Sequence, residues 1–207
     1  MSMSRDEALA LLGQHIRNDR MINHCLASEA VMRALARRLG RDEEAWGLAG
    51  LLHDLDVELC GADLGVHGIE TERILKEKGL DAEIIDAIKM HNERVAGTKR
   101  STEFQHALAA GETVTGLIIA ATMVYPDRKI AGVKGKSVLK RMKEKSFARS
   151  VDRSYITKGA EEWGLPLPEL AALVIRAQIP IADRIGLGGA PAPDLPDAPP
   201  PPEPPPS

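Results

Sequence analysis

The sequence predicts an all-α protein: one helical body over about residues 1–187 and a proline-rich tail over 188–207. Apolar residues recur at three- and four-residue spacing almost throughout, and no stretch alternates polar and apolar long enough to demand a sheet. Of the 14 prolines, 10 crowd into residues 191–206. That tail lacks backbone donors and apolar side chains, so it reads as disordered or polyproline II. A length of 207 residues suits one core.

Each helix has its own signal. Residues 6–16 carry Ala8, Leu11, Leu12 and His15 on a helical stripe, and Leu26, Val31, Met32, Leu35 and Leu39 continue to a C-cap at Gly40. Asp42 caps a helix through Trp46, Leu48, Leu51 and Leu52, which delivers His53 and Asp54 near its end. Residues 66–78 form a short helix closed by Gly79, and Asp81 opens another through Ile84, Ile85 and Ile88 that ends near His91. The longest helix spans about 102–124 and stops at Tyr125-Pro126-Asp127. Helices over 137–146, 154–163 and 168–185 follow, and Gly186 to Gly189 release the chain.

Composition narrows the function. Two cysteines, Cys25 and Cys60, form no disulfide framework or CxxC clamp, and with no apolar leader or bilayer-length apolar run the expectation is a cytoplasmic protein that makes no use of a membrane. Two residues each of Trp, Tyr and Phe leave no platform for stacking bases, which counts against binding of a nucleic-acid polymer. The net charge of -3 is uneven: ten basic residues against Glu144 and Asp152 give +8 between Arg128 and Arg153, so the rest carries -11. This segment either attracts phosphate or is a solvated helix with its loops.

Six histidines occur, His15, His24, His53, His67, His91 and His106, and with carboxylates they suit Fe, Mn, Zn or Mg better than thiolates would. His53-Asp54 stands out, because it follows the apolar run of LAGLLHDLD and a buried charge beside an imidazole must be paired or metal-bound. Helix termination at Asp54 would let the two side chains converge, where a continued helix separates neighbours by about 100°. A satisfied helix-end network is the other reading.

His24, GLLHDLD, VHGIETERIL, IKMHNER and LAAGETVTGLI, in that order, resemble the H…HD…D framework of the HD-domain metal-dependent phosphohydrolase superfamily. Residues 115–160 further resemble a poorly characterised branch of HDIG-type hydrolases. The resemblance implies a compact HD-domain helical bundle and metal ligation by His24, His53, Asp54 and, by position, Glu112, where the family more often has Asp. His67 and His91 resemble the additional histidines of binuclear members, including the cyclic-di-GMP phosphodiesterase branch and the diiron myo-inositol oxygenase. The implied cofactor is two divalent metal ions, Fe or Mn ahead of Zn or Mg, bridged by Asp54. Asn92 stands where the cyclic-di-GMP branch has a second histidine, the GYP pattern is missing, and HDLD lacks the lysine of HDIGK.

Lys136, Lys140, Lys143 and Arg149 are candidates to replace that lysine, with Lys140 and Arg149 singled out beside Asp54 as catalytic residues. His106 lies six residues before Glu112, about 120° away around the helix, and His15 lies upstream of the motifs, so both read as structural. The expected activity is hydrolysis of a phosphomonoester or phosphodiester, a nucleotide included, by water activated on metal. No Walker A segment supports ATP-driven chemistry. The alternatives are a diiron oxygenase resembling myo-inositol oxygenase, and a non-enzymatic HD scaffold whose tail recruits a proline-motif-binding protein.

Overall fold

The computed structural model describes residues 3–189, so the expected proline-rich tail falls almost wholly outside the described residues. The first helix, α1 (Arg5–His15), opens with a capping box between Ser4 and Glu7. The long α2 (Asp19–Leu39) closes at Gly40, whose φ of 68° is the left-handed conformation that a non-glycine side chain resists. Asp42 accepts from the Glu44 and Ala45 amides to start α3 (Glu43–Leu52). Turns then run to α4 (Ile69–Glu77), followed by α5 (Ala82–Met90) and the short α6 (Glu93–Ala96).

A Thr102–Gln105 capping box starts α7 (Glu103–Met123), the central helix, which packs against α2, α3, α5, α8 (Gly135–Lys143), α9 (Arg153–Glu162) and α10 (Leu167–Gln178). Leu108, Leu117 and Ile118 of α7 are fully buried, as are Leu35 of α2, Leu51 and Leu52 of α3 and Ile88 of α5. The only strand-like pairing among the described residues is an isolated bridge between Lys129 and Gly188. The fold class is therefore all-α, as the periodicity predicts. One described helix, α7, is long and apolar enough to cross a bilayer on its own, and 67% of that window is buried inside the bundle.

The helix expected over 137–146 lies at Gly135–Lys143, and two other boundaries differ from the sequence reading for a local reason. The helix expected from residue 66 begins at Ile69, because Gly68 takes φ 102° and residues 53–68 are used in turns that carry His67. The last helix stops at Gln178 rather than 185: Pro180 removes a backbone donor, and the chain continues as a 3-10 turn over Ile179–Ile181.

Close approach of α2 and α3 positions the site. A Cβ on Gly50 would lie 2.6 Å from the Ser28 carbonyl oxygen and 2.9 Å from the Glu29 amide nitrogen, so the two backbones meet only because residue 50 has no side chain. The buried Glu29 locks the same corner by accepting from Arg5 Nε at 2.6 Å and Arg33 Nε at 2.9 Å, while Arg33 also reaches Glu44.

Candidate metal centre

Three helices and one turn segment bring five of the sequence-selected residues together. From α2, His24 points its Nε2 to within 3.9 Å of Asp54 Oδ2; His53, at the end of α3, places Nε2 3.3 Å from the same oxygen. The other carboxylate oxygen, Oδ1, faces His67 Nε2 at 3.0 Å and His91 Nε2 at 3.7 Å, so Asp54 lies between two pairs of imidazoles. Ligand atoms of His24, His53 and Asp54 lie within 4.8 Å of one another, and so do those of Asp54, His67 and His91.

The imidazoles are oriented from behind. His53 Nδ1 donates to the Gly50 carbonyl at 2.9 Å, and His91 Nδ1 donates to the Ile88 carbonyl, one helical turn back in each case. With Nδ1 carrying the proton, Nε2 presents a lone pair. The buried His53 Nε2 has no hydrogen-bond partner among the described residues. His67 Nε2 and His91 Nε2 lie 3.0 Å apart, an arrangement that two lone pairs tolerate only with a proton or a cation beside them. Orphaned and converging imidazole nitrogens around one carboxylate are the donor set of a cation site, so these residues fit divalent metal.

Asp56 completes the His67 side, and the sequence reading passed it over. Its Oδ1 accepts from His67 Nδ1 at 2.7 Å, and its Oδ2 accepts from the Gly68, Glu70 and Thr71 amides at 2.8, 3.1 and 3.2 Å. Gly68 has no side chain to cap α4, and Asp56 serves in its place. One carboxylate thus caps a helix and fixes a ligand tautomer. The available signal was the second Asp of HDLD. Asn92 braces the same region, its Nδ2 donating to the Leu64 and His67 carbonyls at 2.9 Å each.

Charge follows this geometry. Burial pulls His24 and His91 down to about 4, so both are neutral at pH 7. Burial also lowers His67, but hydrogen bonds to Asp54 and Asp56 overcome it and push the group up to about 10. Burial raises Asp54, yet the surrounding histidines, His53 first, hold it well below the usual carboxylate range.

Glu112 lies beside this set rather than in it. Its carboxylate accepts from Thr113 Oγ1 at 2.6 Å, burial pushes it up to about 7, and the charges of His53 and Asp54 act on it. It is absent from both groups of converging ligand atoms. Gly111 sets its helix close to α2, where an added Cβ would meet Met32 Sδ at 2.7 Å. His106 turns away to pair with Glu162.

Lys140 and Arg149 are exposed. Lys140 lines a pocket with Ala121, Tyr125, Pro126, Ser137 and Arg141 at the C-terminal end of α7, and Arg149 lies in the turns after α8. Arg100 is the buried cation near the cluster: Nε donates to the Met90 carbonyl at 2.9 Å, Nη2 donates to the His91 carbonyl at 2.7 Å, and its guanidinium stacks 4.2 Å above the Tyr155 ring. It closes the C-terminus of α5 and so steadies His91.

The family model described as "HD domain" matches residues 21–174, which takes in every residue of this cluster. No significant match is found among curated proteins or among solved structures.

Proposed function

Because the chain belongs to the HD-domain family, whose model spans most of it, we propose that it is a metal-dependent hydrolase of a phosphomonoester or phosphodiester. The observation that carries the reading is the placement of Asp54 between the His24–His53 pair and the His67–His91 pair. His24, His53, His67 and His91 would hold two divalent metals, Fe or Mn before Zn or Mg, with Asp54 between them and Glu112 closing the first position. Bound there, the metals would lower the pKa of a water and polarise a phosphoryl oxygen.

The remaining work falls to this chain's own groups. Asp56 keeps the His67 proton on Nδ1, and the Gly50 and Ile88 carbonyls do the same for His53 and His91. Lys140 and Arg149 would engage only the more distant parts of an anionic substrate.

Protein purified without added metal, analysed for its metals and then assayed against a panel of phosphomonoesters and phosphodiesters with and without oxygen, tests the reading. Hydrolysis under both atmospheres that is lost in Asp54→Ala supports it. Oxygen consumption without phosphate release would favour the diiron oxygenase, and metal content without turnover of any kind would favour the scaffold.

A further inference from the structure

The turn segment between α3 and α4 carries a third group of ligand atoms, on the far side of the His67 ring from Asp54. Asp56, Cys60 and His67 offer a carboxylate oxygen, Sγ and Nδ1 all within 4.8 Å of one another. Sγ lies 3.9 Å from His67 Nδ1, and Asp56 Oδ1 lies 2.7 Å from it. Left-handed backbone at Gly61 (φ 60°) and Ala62 (φ 58°) folds Cys60 back towards His67, and Cys60 remains partly open to solvent. Around a tetrahedral soft cation, with bonds of roughly 2.0 Å to N or O and 2.3 Å to S, ligand atoms stand about 3.3–3.6 Å apart, a spacing that the two observed distances bracket.

We propose that Asp56, Cys60 and His67 form a distinct site for one thiophilic divalent cation, Zn2+ or Cd2+, and that filling it withdraws His67 from the Asp54 cluster. The thiolate and the carboxylate together match the charge of the cation. The Cys60 thiol proton and the His67 Nδ1 proton leave to water as the cation enters, and Nε2 keeps the proton it already carries in the metal-free protein. Two protons are released per cation, and no redox step is involved. Asp56 Oδ2 stays on the α4 amides, so only Oδ1 has to turn. A ring protonated on Nε2 has no lone pair left for a metal beside Asp54. The inhibitory consequence rests on the hydrolase reading; the cation site itself does not.

Cadmium titration of the full chain, followed by the ultraviolet charge-transfer band of a cadmium thiolate, reads the site without any activity measurement. One thiolate-bound Cd2+ per chain is expected in the wild type, in Cys25→Ser and in Asp54→Asn, with the band lost in Cys60→Ser. Absence of the band from the wild type, or its survival in Cys60→Ser, would overturn the proposal. If Cys60→Ser fails to fold, nitrogen-15 NMR of the cadmium-bound wild type decides: cadmium coupling to His67 Nδ1 with a protonated Nε2 is expected, and coupling to Nε2 refutes the site. A silent phosphate-ester panel would remove the hydrolase reading and leave the cadmium band unchanged.

Discussion

Replacing Asp56 with Asn keeps the size of the side chain and removes one of its two acceptor oxygens. In the native arrangement four donors converge on the carboxylate: His67 Nδ1 on Oδ1, and the amides of Gly68, Glu70 and Thr71 on Oδ2. An amide presents one oxygen and one NH2, so one side must face donor against donor. Keeping the oxygen on the three α4 amides is the smaller loss, and it leaves the NH2 against His67. The ring then shifts its proton to Nε2 and stops being a ligand on the Asp54 side. Loss of such an outer partner weakens metal binding by about 10–100-fold, or roughly 1.4–2.8 kcal/mol. Metal titration of Asp56→Asn with elemental analysis should therefore show one site weakened by that factor while the site formed by His24 and His53 keeps its affinity. Two sites of unchanged affinity would refute both the tautomer argument and the role given to Asp56.

The remaining predictions concern helix spacing and proton balance. Gly50→Ala would place a methyl 2.6 Å from the Ser28 carbonyl oxygen, where backbone rather than a flexible side chain must yield, so a loss of about 1–3 kcal/mol in denaturant unfolding and weaker binding between His24 and His53 are expected. A wild-type unfolding midpoint in this variant would show that α2 and α3 have slack. Burial opposes protonation of His67, but its bonds to Asp54 and Asp56 hold it at about 10, above its ordinary 6.5, so in the metal-free protein the group stabilises the fold fully below 6.5 and less and less as pH rises through 10. Metal entering beside it displaces that proton, so calorimetry in buffers of different ionisation enthalpy should register about one proton released, with affinity rising between pH 6 and 9. Release of none would place the proton elsewhere.

Most helices were legible from an apolar stripe, several with a side-chain cap as well, as Asp42 and Leu48–Leu51–Leu52 show for α3. The convergence of His53 and Asp54 was also readable, since the helix ends at Leu52 and frees the pair from the angular separation of helical neighbours. What the pattern hid lies in the segment between α3 and α4. Val66 fits a helical stripe, but periodicity does not register that Asp56, twelve residues before Gly68, supplies the cap that Gly68 lacks. The resemblance put Glu112 on α7, but its carboxylate accepts from the neighbouring Thr113 hydroxyl, and a sequence pattern carries no rotamer.

A charge count registers cations without registering what they hold. Within the basic segment, Arg153 donates to the carbonyls of Met142, Glu144, Phe147, Ala148 and Val151, which knits the turns after α8, and Arg141 pairs with Glu144. Among the described residues Lys140 is not tied up in this way, but its pocket reaches α7 at Ala121, nine residues beyond Glu112 and so about 13 Å along the helix axis. On the proposed reading, with hydrolysis beside Asp54, this separation leaves Lys140 to a second phosphate of a longer substrate rather than to the reacting one. Lys140→Ala should therefore raise KM for a dinucleotide-sized phosphodiester by several-fold with kcat and metal content unchanged, and leave a compact phosphomonoester unaffected. An equal rise for both substrates would place Lys140 against the reacting phosphate and contradict the separation that α7 imposes.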